Sequence, residues 1–112
     1  FALAFDLDRT NYPALLRLGE LEAERGNWDA AQASFDLATR VAPPGERYRL
    51  LTQTGIGFAA RGQLARAAAA YERALREQVT NAIAANNLAW LYATAADETL
   101  RRPARALELA RN

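Results

Sequence analysis

The sequence predicts an all-α protein, and three observations support that prediction. Alanine dominates the apolar residues while valine and isoleucine are few, so intrinsic propensity favours helix over strand along the whole chain. About half of the residues are apolar and glycine and proline are sparse, which is typical of a chain that folds around a core. Glycine and aromatic residues also return at a fixed interval, which indicates repeated pairs of antiparallel helices.

Length and charge limit what such a protein can be. At 112 residues the chain can bury one continuous core, so we expect a single architectural unit. The net charge of +1 provides no strong field to gather nucleic acid or an anionic membrane surface. The longest apolar run is far short of a membrane span. We therefore expect a soluble chain, cytoplasmic or periplasmic, with no nucleic-acid partner and no membrane insertion.

The residue types that are missing exclude much chemistry. Histidine, cysteine and methionine are absent, and all 14 basic residues are arginine. The usual ligands of zinc and iron, the thiol nucleophile, the Schiff-base amine and the commonest general base are therefore all lacking. We expect no catalytic residue, no metal site and no cofactor. The lack of cysteine leaves the redox compartment open.

Two segments of the chain repeat one pattern. The first copy contains Leu15, Leu18, Gly19, Gly26, Asn27, Trp28, Ala31, Phe35, Ala38 and Pro43, and the second contains Leu51, Gly55, Phe58, Gly62, Leu64, Ala67, Tyr71 and Ala74. Gly62 follows Gly26 by 36 residues (62 − 26), and Tyr71 follows Phe35 by the same interval (71 − 35). Part of a third copy starts at Asn86 and includes Trp90 and Tyr92, while Phe1, Ala4 and Leu7 resemble the end of a preceding one. We therefore expect the chain to belong to a larger parent.

Each full copy predicts a helical hairpin with a short turn. Gly26 and Gly62 supply the left-handed residue at which the first helix ends, and Asn27 is suited to cap the next helix. Small residues near the turn, Gly19 in one copy and Gly55 in the other, let the two helices approach closely. Taken in order, the predicted helices cover residues 1–8, 12–25, 28–41, 46–61, 64–77, 81–95 and 103–112. Pro103 restarts a helix after a longer loop at 95–102.

These residues resemble the tetratricopeptide repeat family over nearly the whole chain, although Glu22 and Val79 depart from its usual aromatic and proline. The resemblance implies a right-handed superhelical solenoid of antiparallel helix pairs. Its expected division is the end of a preceding repeat at 1–10, repeats at 11–45 and 46–80, and a partial repeat at 81–112 with the loop insertion at 95–102.

In that family the first helices of successive hairpins line a concave groove that selects the ligand. Carried onto this sequence, the groove contains Leu16, Arg17, Glu20, Glu24, Arg49, Thr52, Gln53, Ile56, Ile83, Asn86, Asn87 and Trp90. The carboxylate clamp known from one subclass is not expected, because lysine is absent and Glu20, Ile56 or Trp90 replaces its asparagine. We expect a peptide or protein partner held by apolar and polar contacts together.

Several of these residues have a second interpretation. Trp90 either contacts a ligand or packs on a neighbouring helix, whereas the repeat position of Trp28 favours the core. Glu20 and Glu24 share a helix face, but a solvated face partnered by Arg17 is favoured over an acid/base pair or a cation site. A nucleic-acid surface is one interpretation of the arginines at 40, 47, 49, 101, 102 and 105, but most of them are interpreted as solvated helix ends.

The leading hypothesis is a protein-interaction scaffold that presents its groove to a segment of another protein. The abundance of alanine and arginine is typical of a bacterial-type parent. One alternative is a structural module that self-associates through exposed end repeats. Another is a docking or regulatory domain of an enzyme whose catalytic part lies elsewhere.

Overall fold

The computed structural model describes residues 12–95 and 101–111, and this part of the chain is helical and contains no strand. Its helices are α1 (Tyr12–Glu24), α2 (Trp28–Val41), α3 (Arg47–Ala60), α4 (Leu64–Glu77), α5 (Ala82–Thr94) and α6 (Pro103–Arg111), with a 3-10 turn at Pro44–Glu46. The all-α prediction is confirmed, and six predicted helices agree with these bounds to within one residue. The predicted helix at 1–8 lies outside the described residues, as does most of the loop expected at 95–102.

The chain divides into two compact units, and the division falls between Leu50 and Leu51. The first unit contains α1, α2 and the start of α3, and the second contains the rest of α3 with α4, α5 and α6. Within each unit, helices that follow one another in the sequence pack together. No described helix is long and apolar enough to cross a membrane.

The turn between α1 and α2 in the first unit is held by backbone hydrogen bonds. Gly26 adopts a φ of 77°, which residues with a side chain rarely take. Its N–H donates to the carbonyl oxygen of Ala23 at 3.0 Å, and the N–H of Asn27 donates to that of Glu22 at 2.9 Å. This is the Schellman arrangement, which satisfies carbonyls left free at a helix end.

The turn between α3 and α4 in the second unit has the same internal geometry. Gly62 has a φ of 78° and its N–H donates to the carbonyl oxygen of Ala59 at 3.1 Å. The N–H of Gln63 donates to the carbonyl oxygen of Phe58 at 2.9 Å. The prediction that Gly26 and Gly62 end their helices in the left-handed region is therefore confirmed.

The predicted capping role of Asn27 is wrong. Its side chain makes no hydrogen bond to the start of α2 and instead donates from Nδ2 to Oε2 of Glu22 at 3.1 Å. The side-chain cap is found at α5, where Oδ1 of Asn81 accepts from the N–H of Ala84 at 3.3 Å. Asn81 has an extended backbone, with φ −70° and ψ 93°, which suits a capping residue.

Close approach of the helices depends on two glycines. A Cβ atom on Gly19 would lie 2.6 Å from Cε1 of Phe35, and one on Gly55 would lie 2.6 Å from Cε1 of Tyr71. Each aromatic ring therefore packs directly against the backbone of the preceding helix. Ala31 and Ala67, which occupy equivalent positions in the two hairpins, are both fully buried. The predicted hairpin packing is therefore present in each unit.

The last helix is fastened to the end of α5. The backbone N–H of Arg102 donates to the carbonyl oxygen of Tyr92 at 2.8 Å. The guanidinium of Arg101 donates from Nε and Nη2 to the carbonyl oxygen of Ala95, at 3.1 and 2.9 Å. Arginine thus satisfies a carbonyl that follows the carboxyl end of α5, where a positive charge also suits the helix dipole.

Candidate functional site

Five of the predicted groove residues belong to the first unit, and all except the partly buried Leu16 are exposed. Arg17, Glu20 and Glu24 lie on α1, and Arg49 lies in the first turn of α3. Arg17 pairs with Glu20 across 3.7 Å, and more than half of each side chain is accessible to solvent. No group of three metal-binding side chains occurs in the described part of the chain. The arrangement here agrees with a solvated face that includes an arginine partner.

The Arg49 side chain contacts residues close to it in the sequence. Its guanidinium lies 3.5 Å from a carboxylate oxygen of Glu46, one turn earlier. A side-chain hydrogen bond with Tyr48, together with the charge of Glu46, raises the pKa of Arg49. The residue therefore remains a cation whose nearest acidic partner belongs to its own helix start.

Seven predicted groove residues belong to the second unit: Thr52, Gln53, Ile56, Ile83, Asn86, Asn87 and Trp90. Gln53 and Ile56 are exposed on α3, Asn86 and Trp90 are exposed on α5, and Asn87 on α5 is partly buried. Ile56, Asn87 and Trp90 line one pocket, whereas Gln53 and Asn86 are not among its lining residues.

That pocket, which we call the Trp90 pocket, has a volume of about 360 Å³. It is built by α3, α4 and α5, with Ala95 at the end of α5 completing it. Its lining residues are Ile56, Ala59, Leu64, Tyr71, Asn87, Trp90, Leu91, Thr94 and Ala95. Concave sites of this kind, mostly apolar with a few polar groups, are the usual form of binding sites.

Tyr71 is the most buried aromatic side chain in the pocket lining, with 2% of its surface exposed. It reaches this place because Gly55 has no side chain where the tyrosine ring packs. Burial raises the pKa of Tyr71, and a side-chain hydrogen bond with Asn87 acts in the opposite direction. The phenol is therefore a neutral group near neutral pH, and its polar atom already has a partner.

Trp90 lies at the opposite extreme, with 72% of its surface exposed. Nearby in the same pocket, Ile56 is 45% exposed. Trp90 is thus not a core residue, and its backbone carbonyl accepts a hydrogen bond from the hydroxyl of Thr94 at 2.6 Å. Trp28, which we expected in the core, is only partly buried.

Thr52 was expected to face solvent in the groove, but it is buried. It is 7% exposed, and its hydroxyl oxygen accepts a hydrogen bond from Nδ2 of Asn81 at 2.8 Å. The Asn81 side chain therefore forms hydrogen bonds with two helices, because it also caps α5. This link between α3 and the start of α5 joins residues far apart in the sequence, and no local pattern marks it.

The structure also contains a cluster of polar side chains that was not predicted, which we call the Glu72 cluster. Oε1 of Glu72 on α4 accepts from Nη2 of Arg105 on α6 at 2.7 Å, and Oε2 accepts from the hydroxyl of Tyr92 at 2.9 Å. Arg105 also contacts Glu108, and the guanidinium of Arg102 lies over the ring of Tyr92, 5.4 Å from its centre. Arg105 is partly buried and pairs with Glu72 of α4, so it is not a solvated helix end, whereas Arg102 is exposed, as that interpretation expects.

The charges in the Glu72 cluster shift the pKa values of its members. Burial pushes the pKa of Glu72 upward, but hydrogen bonds from Arg105 and Tyr92 and the arginine charges outweigh it, so this pKa is lowered. Burial and the hydrogen bond to Glu72 raise the pKa of Tyr92 to about 12. The hydrogen bond with Glu72 raises the pKa of Arg105. The carboxylate and guanidinium are thus a fixed ion pair that joins α6 to the rest of its unit.

Comparison of the chain with protein-family models, with curated proteins and with solved structures gives no match. The resemblance to tetratricopeptide repeats therefore depends on the residues of the chain itself.

Proposed function

We propose that the chain is a protein-interaction scaffold of the tetratricopeptide type that binds a peptide or protein segment through the Trp90 pocket. The observation that carries the proposal is the exposure of Trp90 at 72% beside Ile56 at 45%, on the edge of a pocket of about 360 Å³. Large apolar side chains gathered around a concavity are typical of interaction sites, and tryptophan is enriched among residues that contribute most to binding.

Polar groups near these side chains support an extended partner. Gln53 on α3 and Asn86 on α5 are exposed. An amide side chain offers two donors and an acceptor, which can pair with the backbone of a bound segment. Such pairing provides affinity independent of the partner's sequence, while a pocket for a side chain provides specificity.

The two hairpins support the repeat interpretation on which the scaffold depends. Gly26 and Gly62 have nearly the same φ, and the hydrogen bonds around them join equivalent atoms. Gly19 and Gly55 occupy equivalent positions against Phe35 and Tyr71. We propose on this basis a solenoid of stacked hairpins, within a larger bacterial-type parent, that acts by binding rather than by catalysis.

The test is selection of ligands from a library of random linear peptides displayed against the full chain. We expect the selected peptides to lose at least about tenfold in affinity for the Asn87→Ala/Trp90→Ala double variant, because both the anchor and its polar neighbour are removed. Circular dichroism should show unchanged helicity. The matched control is Val79→Ala, which truncates an apolar side chain that is 75% exposed between α4 and α5 and belongs neither to the predicted groove nor to the pocket lining. Equal affinity for the double variant and the parent would remove the pocket from the proposal.

Self-association is a second candidate function, and one observation favours it. Leu107 on α6 is 56% exposed, so the last described helix presents a large apolar side chain to solvent. Sedimentation over a range of concentrations tests this candidate: association that Leu107→Ser abolishes supports it, and a strictly monomeric chain contradicts it. A docking or regulatory role beside a separate catalytic domain is compatible with the first proposal, because such a role also uses a binding surface.

A further inference from the structure

We infer that the Trp90 pocket receives one large, uncharged apolar side chain of the bound segment and rejects charged side chains at that position. This inference rests on the proposed function, which it deepens by naming the chemistry of the occupant. Three observations lead to it: the charge of the lining, the pairing of its polar atoms and the size of the space.

The described side chains of the lining provide no charge. Within the described part of the chain, the nine residues that form the pocket are all uncharged. A charged side chain that entered would lose hydration and meet no opposite charge among these nine side chains, and the guanidinium of Arg101 is already engaged by the carbonyl oxygen of Ala95. A partner with an acidic or basic residue at this position is therefore disfavoured, whatever contacts its neighbouring residues make.

The two hydroxyl groups of the lining are already engaged. The hydroxyl of Tyr71, on a side chain that is 2% exposed, pairs with the side chain of Asn87. The hydroxyl of Thr94 donates to the carbonyl oxygen of Trp90 at 2.6 Å. The other lining groups include the indole of Trp90 and aliphatic side chains such as Leu64 and Leu91. An apolar occupant breaks none of these hydrogen bonds, whereas a polar occupant would have to compete with them.

The size of the space fits a single side chain with its backbone attachment. At about 360 Å³ the pocket is at the lower end of the range of about 300–1,000 Å³ typical of small-molecule sites. A phenylalanine or leucine side chain of the partner can fill much of it, but a packed helix cannot enter. Trp90 and Ile56, both exposed at the edge, remain available to the residues on either side of the anchor.

The experiment uses five capped pentapeptides that differ only at a central residue flanked by two glycines on each side. The central residue is phenylalanine, leucine, alanine, glutamate or lysine, and binding to the full chain is followed by NMR through the indole N–H of Trp90. We expect the phenylalanine and leucine peptides to bind at least about tenfold more tightly than the other three, which is the gain from burying such a side chain.

Two variants fill the pocket and should abolish this preference. Ala59→Phe adds a ring to a lining residue of α3, and Thr94→Phe does the same from an exposed position on α5. The matched control is Ala60→Phe, since Ala60 is exposed on α3 and does not line the pocket. We expect the control to retain the preference. Thr94→Phe keeps the test decisive if Ala59→Phe does not fold.

The outcomes separate this inference from the proposed function. If library peptides bind in a Trp90-dependent manner but the glutamate and lysine pentapeptides bind as well as the phenylalanine one, the inference is overturned and the proposed function stands. If no library peptide depends on Trp90, both are overturned. Concentration-dependent self-association that Ala59→Phe abolishes would identify a second copy of the chain as the occupant, and this too would contradict the inference.

Discussion

The ring of Tyr71 lies where a side chain on Gly55 would be, with Cε1 of the ring 2.6 Å from the position of the missing Cβ atom. Tyr71 also lines the Trp90 pocket, so one contact sets both the spacing of α3 and α4 and the shape of the candidate site. The pair Gly19 and Phe35 repeats this contact in the first unit, at the same distance.

We predict that Gly55→Ala destabilises the protein while Gly57→Ala in the same helix does not. Both changes gain about 0.5–1 kcal/mol of helix propensity. At Gly55 the added Cβ forces the Tyr71 ring to move, which costs about 1–3 kcal/mol, whereas at Gly57 the nearest neighbouring side-chain atom is Nη1 of Arg61 at 3.7 Å. Chemical denaturation of the two variants measures the difference. Equal stability of the two variants would mean that the contact with Tyr71 does not limit the spacing of the helices.

We predict that Asn81→Ala costs about 1–2 kcal/mol of unfolding free energy, because it removes the cap of α5 and the hydrogen bond to Thr52. The matched variant Asn27→Ala removes asparagine from the equivalent position before α2, where its side chain provides no cap. We expect Asn27→Ala to cost less than about 0.5 kcal/mol. Thermal denaturation of both variants provides the comparison, and a larger effect at Asn27 would contradict the assignment.

We predict that the protein loses stability in acid, because protonation of Glu72 removes its ion pair with Arg105. The folded-state pKa of Glu72 is lowered from its ordinary value of 4.5. Its stabilising contribution is therefore present above pH 4.5 and is lost as the pH falls through the lowered pKa. Glu72→Gln should lose less stability than the parent chain over this interval, as measured by denaturation at a series of pH values.

At neutral pH the same substitution should cost about 1 kcal/mol, a modest value because the Arg105 side chain is 34% exposed and solvent screens the pair. Glu108→Gln is the control, since the Glu108 side chain is 65% exposed and its loss leaves the contact with Glu72 intact. A parent chain and Glu72→Gln variant with identical acid profiles would show that the pair does not stabilise the fold.

We predict that the protein loses stability in alkali as the phenol of Tyr92 ionises. Its pKa rises from an ordinary 10.0 to about 12 in the folded chain. The folded state therefore holds the proton more tightly, so this contribution is complete below pH 10.0 and is lost as the pH rises toward about 12. Tyr92→Phe should show a smaller loss of unfolding free energy over that interval. Ultraviolet titration of the phenolates provides an independent check: Tyr71, whose pKa is also raised, should ionise late in both chains, whereas the phase near pH 12 from Tyr92 should be absent from the variant.

The helices could be predicted closely because their ends are determined locally. Gly26 and Gly62 take a backbone conformation that favours glycine, and Pro103 is tolerated only in the first turn of a helix. Close packing was also predictable, since Gly19 and Gly55 precede large aromatic residues at equal spacing. Each of these features depends on residues within one hairpin or one turn.

The polar contacts between distant residues could not be predicted in this way. Glu72 and Arg105 are 33 residues apart, and Thr52 and Asn81 are 29 apart, so each pairing depends on how the helices pack in three dimensions. The predicted cap at Asn27 was wrong because asparagine is a common capping residue, whereas this side chain forms its hydrogen bond with Glu22. Ile56, Asn87 and Trp90 were identified from the family resemblance, but the pocket that they share also needs Tyr71, which the sequence marks only as a packing residue.

Tyr71 packs against the facing helix and also lines the pocket, and these two roles limit how this protein can evolve or be redesigned. Exchanging the tyrosine to reshape the bottom of the pocket would leave a void against Gly55, so a new ligand preference obtained there requires a compensating change on the facing helix. Substitutions at Trp90 carry no such coupling, because 72% of its surface is exposed, and Ile56, at 45% exposed, is less constrained than the buried Tyr71. Related proteins that recognise different partners should therefore vary at these two positions while the glycine and tyrosine change only together.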